Sequence, residues 1–167
     1  MRRWLLLVDL DGTLWDHKDI STLDPPFRRI SDDVIADSNN ITVKLNREMI
    51  KVVKWARENG AIVSTLSWNI PEKALSALKA FDVVKYFDYI TVENTRRKDI
   101  MIVKLLKKIE SEKGLKINLN DIIYIDDLTI HIDDIYRNIG KIHFLQIGVD
   151  FKTFEEAKAI IRKILQL

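Results

Sequence analysis

The sequence predicts an α/β fold in which one parallel sheet is covered by helices on both faces. Three observations lead to this prediction: short apolar runs that end at polar residues, helical segments between those runs, and a length of 167 residues. A domain usually contains roughly 100 to 200 residues, so we expect one domain over residues 1–167. Strands that alternate with helices are joined by right-handed crossovers, and such crossovers produce a parallel sheet.

The predicted strands are continuous apolar runs, as expected of strands that are buried on both faces of a sheet. The first run stops at Asp9, the second leads to Ser67, and a third ends at Asp126 and Asp127. Two weaker runs predict further parallel strands. The five runs occupy residues 5–8, 61–63, 89–92, 122–125 and 142–145.

Helical periodicity fills most of the gaps between these runs. Within residues 46–59, for example, Met49, Ile50 and Val53 repeat at spacings that place them on one face of a helix. The predicted helices occupy residues 46–59, 72–81, 98–113 and 153–167.

The segment from about residue 17 to residue 45 breaks this alternation. Pro25 and Pro26 cannot continue a helix, residues 38–40 are typical of a turn, and residues 41–45 alternate apolar with polar side chains. We therefore predict that a β-hairpin flap is inserted over residues 17–45.

The composition excludes several classes of function. Lys and Arg number 27 against 25 Asp and Glu, so the net charge of +2 gives no broad positive field for nucleic acid or an anionic membrane. The apolar run at residues 4–8 is far shorter than the roughly 20 residues that a membrane span needs. Without Cys there is neither a disulfide nor a thiolate metal site. We expect a cytoplasmic protein that binds neither nucleic acid nor membrane.

Polar side chains at the strand ends predict the position of the site. In parallel α/β sheets, ligands bind at the carboxyl ends of the strands, where Asp9, Ser67, Asp126 and Asp127 all fall. We expect these residues to converge on one crevice.

The acidic residues of this crevice predict a magnesium site. Asp9 and Asp11 lie one residue apart, and Gly12 permits a sharp turn after them. An isolated pair of this kind most often caps a loop or a helix, but Asp126 and Asp127 end another buried strand. Clustered carboxylates repel one another and require a divalent cation, and oxygen ligands favour Mg²⁺. Phosphate is the anion that best completes such a site.

The arrangement resembles the haloacid dehalogenase superfamily of phosphotransferases. The family's four motifs match Asp-Leu-Asp-Gly-Thr at residues 9–13, Ser67, Lys98 and the acidic pair at 126–127, in that order along nearly the whole chain. The resemblance implies a three-layer, Rossmann-like sheet of the haloacid dehalogenase type, with the flap as a minimal cap.

A narrower resemblance is to the small, nearly capless magnesium-dependent phosphatases of this superfamily, which act on phosphotyrosine and on sugar phosphates. It rests on Trp15, on the segment 24–27, on the short hairpin in place of a large cap, and on the Tyr-Phe pair at residues 86–87. The subgroup tends to carry a basic residue where this chain has Trp68, so the surroundings of the phosphate differ here.

The resemblance also implies a role for each matching residue. Asp9 is the nucleophile that becomes an aspartyl-phosphate, and Asp11 is the general acid and base. Ser67 and Lys98 bind the transferring phosphoryl group.

The resemblance further implies the ligands of the metal. Mg²⁺ is held by the carboxylates of Asp9 and Asp127 and by the main-chain carbonyl of Asp11, while Asp126 reaches it through water.

Several assignments have alternatives within the sequence. Ser64 or Thr65 can replace Ser67 as the second-motif hydroxyl, and Lys104 can replace Lys98.

Three residues near the motifs are candidates for the substrate pocket. Trp15 and Trp68 each follow a motif, so they either wall the pocket or pack in the core, and Asn69 is a further pocket candidate. His131 lies one helical turn beyond Asp127 and is a candidate for orienting the acidic loop.

The function predicted from these features is a Mg²⁺-dependent phosphomonoester hydrolase acting on phosphotyrosine-like or small sugar-phosphate substrates. Its partner is then a phosphorylated small molecule or a phosphoprotein side chain. The alternative is a catalytically silent relative that serves as a phosphate-binding or protein-binding module. A response-regulator receiver is excluded, because too few residues follow Asp127 to complete its strands and helices.

Overall fold

The computed structural model describes residues 2–167 and contains the predicted alternation of strands and helices. The strands are β1 (Trp4–Val8), β2 (Arg28–Ser31), β3 (Val34–Ala36), β4 (Thr42–Lys44), β5 (Ala61–Thr65), β6 (Ser67–Trp68), β7 (Val92–Glu93), β8 (Ile122–Asp126) and β9 (His143–Gln146). The helices are α1 (Arg47–Glu58), α2 (Pro71–Ala80), α3 (Lys98–Lys113), α4 (Ile132–Asn138) and α5 (Phe154–Leu165).

The central sheet has four parallel strands in the order β5-β1-β8-β9. In this register, Leu6 of β1 lies beside Val63 of β5 on one side and Ile123 of β8 on the other. The sheet and the predicted strands near residues 5–8, 61–63, 122–125 and 142–145 are confirmed.

Helices cover both faces of this sheet, as predicted. Leu6 and Val8 of β1 point into the core formed with α1, α2 and α5. Leu5 and Leu7 point into a second core formed with α3 and α4. Because alternate side chains of a strand face opposite sides, a strand buried in two cores must be apolar at every position.

The ends of the helices follow from local sequence. The side chain of Asn46 accepts hydrogen bonds from the first turn of α1, and Thr153 with Glu156 forms a reciprocal capping box at the start of α5. Gly114 ends α3 with a positive φ of 63°, a conformation that glycine adopts without a steric penalty.

The structure corrects the strand predicted at residues 89–92. Only Val92–Glu93 is a strand here, and β7 pairs with β6 rather than with the central sheet. Tyr89 makes a single bridge to Ser64. The loop therefore runs beside the end of β5 and continues the sheet edge toward the crevice.

The sequence prediction missed α4. This helix has seven residues, of which only Ile135 is buried, so the apolar repeat that identifies longer helices is absent.

The predicted flap contains one strand more than a hairpin. β3 and β4 form the expected antiparallel pair, and β2 adds a third strand on the other side of β3. All four residues of β2 are exposed, so no alternating pattern signalled it. Ile35 and Val43 anchor the small sheet in the main core.

Within residues 2–167, no helix combines the length and the apolar character needed to cross a membrane.

Candidate active site

A cavity of about 450 Å³ opens at the carboxyl ends of β1, β6 and β8. Its lining includes Asp9, Asp11, Lys98, Asp126 and Asp127. Asp9, Asp126 and Asp127, which the sequence places at two separate strand ends, therefore meet at one crevice. Ser67 was predicted to join them, but it does not line this cavity.

Asp9 directly follows β1 and is 7% exposed. Lys98 Nζ donates a hydrogen bond to its Oδ1 at 2.9 Å, and the Thr13 hydroxyl lies 3.3 Å from its Oδ2. Burial raises the pKa of Asp9 to about 8, even though the charge of Lys98 opposes this change. A second positive charge beside Asp9 would favour its ionised, nucleophilic form.

Lys98 is the first residue of α3 and is 2% exposed. Besides Asp9, its ammonium contacts Asp126 Oδ2 at 3.0 Å and the Tyr124 hydroxyl at 2.9 Å. Burial lowers the pKa of Lys98, but the two carboxylates outweigh burial and hold the pKa above its ordinary value. The ammonium therefore stays charged at the bottom of the crevice.

Three carboxylates form a group that suits a metal ion. Asp9, Asp126 and Asp127 each offer an oxygen, and these three oxygens lie within 4.8 Å of one another. An all-oxygen set of this kind matches the ligands that Mg²⁺ prefers.

The two aspartates of the acidic pair differ in their surroundings. Asp126 accepts hydrogen bonds from the main chain of Leu128 and from the side chains of Lys98 and Tyr124. Burial alone would raise its pKa, but the charge of Lys98 and these hydrogen bonds together outweigh burial and lower it. Burial, reinforced by the neighbouring Asp126, raises the pKa of Asp127. A cation is therefore needed more at Asp127 than at Asp126.

Gly12 allows the loop after β1 to pack against Asp127. Its φ is +72°, and a Cβ atom added there would lie 2.4 Å from Asp127 Oδ2. The Thr13 hydroxyl accepts the Asp127 main-chain N–H at 3.0 Å. The loops after β1 and β8 are thereby joined.

Asp11 is held by three donors. Its Oδ1 accepts hydrogen bonds from Trp15 Nε1 at 2.8 Å and from the Ile20 main-chain N–H at 3.0 Å, and its Oδ2 accepts one from Asn69 Nδ2 at 2.5 Å. Burial raises the pKa of Asp11 although these hydrogen bonds oppose it. A raised pKa suits a group that must hold a proton and then release it.

Ser67 has a buried hydroxyl that lacks a hydrogen-bond partner within residues 2–167. The alternatives are engaged elsewhere: Ser64 Oγ lies 2.9 Å from the hydroxyl of Thr91, and Thr65 Oγ1 bonds the main chain of Thr91. A buried hydroxyl without a partner is costly, and a phosphate oxygen would satisfy it.

Lys104, the alternative to Lys98, lies elsewhere. Its ammonium pairs with Glu93 at 2.9 Å on the exposed side of α3, and it does not line the crevice.

The two tryptophans differ in position. Trp15 is 1% exposed, packs against Phe81 and does not line the cavity, although its indole reaches Asp11. Trp68 is 47% exposed and lines the cavity mouth together with Leu128 and Ile130.

Tyr124 contacts the site and was not among the residues predicted from the sequence, and Thr13 belongs to the first motif but was predicted to have no role of its own. Tyr124 lies two residues before Asp126 on β8, so both side chains point to the same face of the sheet. The hydroxyl of Tyr124, a polar group within the apolar run 122–125, could have indicated this contact.

His131 precedes α4 and packs edge-on against Trp68, with the ring centres 6.3 Å apart. Burial and the charge of Lys98 lower its pKa to about 4. The ring therefore stays neutral at physiological pH.

The chain is similar to known phosphatases. The model of the family described as Acid Phosphatase matches residues 4–163. The human protein named magnesium-dependent phosphatase 1 is 26% identical over 154 residues, which cover 91% of this chain and 83% of the human protein.

Two solved structures share the fold. A haloacid dehalogenase superfamily hydrolase from Ehrlichia chaffeensis superposes with a TM-score of 0.64 and 15% identity, over 99% of this chain and 100% of that one. The 3-deoxy-D-manno-octulosonate 8-phosphate phosphatase from Moraxella catarrhalis was solved with magnesium, phosphate and the sugar. Its TM-score is 0.54 at 15% identity, over 96% of this chain and 86% of that one.

Proposed function

Because the chain belongs to the Acid Phosphatase family, we propose that it is a magnesium-dependent phosphatase of the haloacid dehalogenase type, like its human relative, and that it hydrolyses phosphomonoesters through an aspartyl-phosphate on Asp9. One observation carries this proposal. A buried carboxylate, Asp9, lies within 4.8 Å of the Asp127 carboxylate and 2.9 Å from the Lys98 ammonium, at the floor of an open crevice.

The reaction has two steps. First, a carboxylate oxygen of Asp9 bonds to phosphorus, the bond from phosphorus to the leaving oxygen breaks, and that oxygen takes the proton of Asp11. Second, a water oxygen bonds to phosphorus and gives a proton to Asp11 while the bond between phosphorus and Asp9 breaks. Inorganic phosphate leaves, and both carboxyl groups return to their starting states.

The metal is held by this chain's own oxygens. We assign the carboxylates of Asp9 and Asp127 and the main-chain carbonyl of Asp11 as direct ligands. Asp126 acts through water, because Lys98, Tyr124 and the Leu128 N–H already occupy its two oxygens. When bound, Mg²⁺ supplies positive charge that offsets the carboxylates and the phosphate oxygens.

Ser67 and Lys98 bind the phosphoryl group. The Ser67 hydroxyl has free hydrogen-bonding capacity, and Lys98 supplies a fixed positive charge beside the nucleophile. Lys98 thereby reduces the repulsion between a carboxylate and an approaching phosphate dianion.

Of the two predicted substrate classes, the mouth of the crevice favours aromatic phosphate esters. Trp68, Leu128 and Ile130 are each about half exposed and surround the entrance with apolar surface. A planar apolar leaving group can pack on such a surface. We propose that phosphotyrosine-like esters, free or on a protein side chain, are preferred over small sugar phosphates.

We also propose that residues 1–167 act as one phosphatase domain with residues 17–45 as its minimal cap. The Ile20 main-chain N–H contacts Asp11, and Lys73 Nζ donates to the main-chain carbonyls of Ser21 and Leu23 at 2.7 Å. The start of the segment is therefore attached both to the candidate acid and to α2.

The test is phosphate release from an aryl phosphate by the wild type and by Asp9→Asn, with and without Mg²⁺. We expect Mg²⁺-dependent release by the wild type and a loss of at least about a thousandfold in the variant, since the nucleophile is removed. Circular dichroism checks that the variant is folded. Wild-type protein that binds phosphate but releases none with any divalent metal would instead indicate the silent binding module.

A further inference from the structure

Asn69 has a side-chain amide whose orientation is fixed from both ends. It follows β6 and is 4% exposed. Its Oδ1 accepts the main-chain N–H of Ile70 at 2.7 Å, so its Nδ2 faces the other way and donates to Asp11 Oδ2. The main chain of Asn69 is itself held, because its N–H donates to the Glu93 carbonyl at 3.1 Å.

The donors around Asp11 are divided unequally between its two oxygens. Oδ1 accepts two N–H groups, from Trp15 and Ile20, which use both of its lone pairs. Oδ2 accepts only the Asn69 amide. A proton carried by Asp11 must therefore sit on Oδ2, where one lone pair accepts the amide and the O–H bond points away from it.

We propose that Asn69 is a positioning residue that directs the acidic proton of Asp11 toward the oxygen of the leaving group. This inference rests on the proposed role of Asp11 as general acid. Trp15 and Ile20 fix one edge of the carboxyl group, and the Asn69 amide fixes the rotation of the other edge. Without that amide, both in-plane directions around Oδ2 are open to the proton, and the O–H no longer keeps a single direction.

This role predicts a dependence on the leaving group. A nitrophenolate leaves without help from an acid, whereas an alkoxide leaves only as it is protonated. The ratio kcat/KM reports the steps up to the first cleavage of a P–O bond, so it isolates the acid function of Asp11 from its later function as a base. Loss of the amide is expected to steepen the dependence of kcat/KM on leaving-group basicity.

The experiment compares kcat/KM over a series of phosphate monoesters, from nitrophenyl through phenyl to alkyl, with saturating Mg²⁺. For Asn69→Ala we expect a change within about threefold on nitrophenyl phosphate and a loss of at least about tenfold on alkyl phosphates, because misdirected proton transfer forfeits part of the acid catalysis. Asn69→Leu keeps roughly the side chain's size and adds no charge but lacks the donor, so we expect the same steeper dependence from it.

Asn138→Ala is the matched control. Asn138 also donates its amide to a buried carboxylate, that of Asp99 at 2.8 Å, but it lies at the end of α4 outside the cavity lining. We expect this variant to lose stability without a change in leaving-group dependence.

The outcomes separate this inference from the proposed function. If Asp11→Asn steepens the dependence and neither Asn69 variant does, the positioning role is wrong and the acid role stands. If Asp11→Asn leaves the dependence unchanged, Asp11 is not the acid and the proposed mechanism fails. An equal loss on all esters in both Asn69 variants would also overturn the positioning role, since it would indicate a general disturbance of the site.

Discussion

At the scale of single residues, the site combines groups that the fold satisfies with groups that it leaves ready for a ligand. Lys98 and Asp126 have several protein partners each, so their positions are fixed before any ligand arrives. The Ser67 hydroxyl has none within residues 2–167, and burial raises the pKa of Asp9 to about 8. The unpaired Ser67 hydroxyl and the buried Asp9 carboxylate both cost free energy. A phosphate oxygen would offset the first cost and a cation the second.

Ser67→Ala tests this balance. Removing a buried hydroxyl without a partner should leave the free energy of unfolding unchanged or raise it by about 1 kcal/mol. The same change should lower kcat/KM by about 10²-fold, the cost of losing one donor to the reacting group. Urea unfolding and a phosphate-release assay measure the two effects.

Ser64→Ala is the control for that experiment. Its hydroxyl is paired with Thr91, so we expect this variant to lose about 1 kcal/mol of stability and to retain its activity. A Ser67→Ala variant that is both destabilised and fully active would show that the hydroxyl is structural.

At the scale of elements, the site depends on the contact between the loops after β1 and β8. Gly12 permits this contact by two properties, a positive φ and the absence of a side chain. Gly114 at the end of α3 shares only the first property, because nothing lies within 4 Å of an added Cβ. The two glycines therefore distinguish backbone strain from displacement of Asp127.

We predict that Gly12→Ala destabilises the protein by at least about 2 kcal/mol and lowers kcat/KM by at least about tenfold, because the new Cβ displaces a metal ligand. Gly114→Ala should cost about 1 kcal/mol and leave kcat/KM unchanged. Urea unfolding and steady-state kinetics give both quantities. Equal effects of the two substitutions on kcat/KM would contradict the close contact with Asp127.

The elements also show which parts of the fold are predictable from sequence. β1, β5 and β8 were found because strands buried on both faces contain continuous apolar runs. β2 was missed because its residues are exposed, and α4 because a helix of seven residues shows little periodicity. Buried elements can be recognised from their apolar patterns, whereas short exposed elements show almost no pattern.

The same limit applies to the site. Asp9, Asp127 and Lys98 were predicted as site residues from the motifs at strand and helix ends, and the structure brings them to one crevice. The hydrogen bond between Asn69 and Asp11 was not, because it depends on side-chain rotamers across 58 positions of chain. Trp15 is a second example: its position in the sequence was compatible with both the pocket wall and the core, and only the structure shows that it is buried.

At the scale of the whole molecule, binding of Mg²⁺ should stabilise the fold, because the acidic cluster forms only in the folded chain. At a Mg²⁺ concentration 100 times its Kd, mass action gives about 2.7 kcal/mol. For a protein of this size, that corresponds to a rise in Tm of about 5 to 11 °C. Thermal unfolding followed by circular dichroism, with and without Mg²⁺, measures this rise.

Asp127→Asn is the control for this measurement. It removes one carboxylate of the cluster, so the rise in Tm should largely disappear at the same Mg²⁺ concentration. A rise that persists in full in this variant would place the stabilising ion elsewhere on the protein.

The most direct test of the mechanism is to identify the residue that becomes phosphorylated. The enzyme is quenched during turnover of an aryl phosphate and treated with borohydride, which reduces an acyl-phosphate to an alcohol, and its peptides are then sequenced by mass spectrometry. Covalent catalysis by Asp9 predicts homoserine at position 9 in samples that received both Mg²⁺ and substrate. Homoserine at position 11 instead, or none at any position in an enzyme that is turning over, would contradict it.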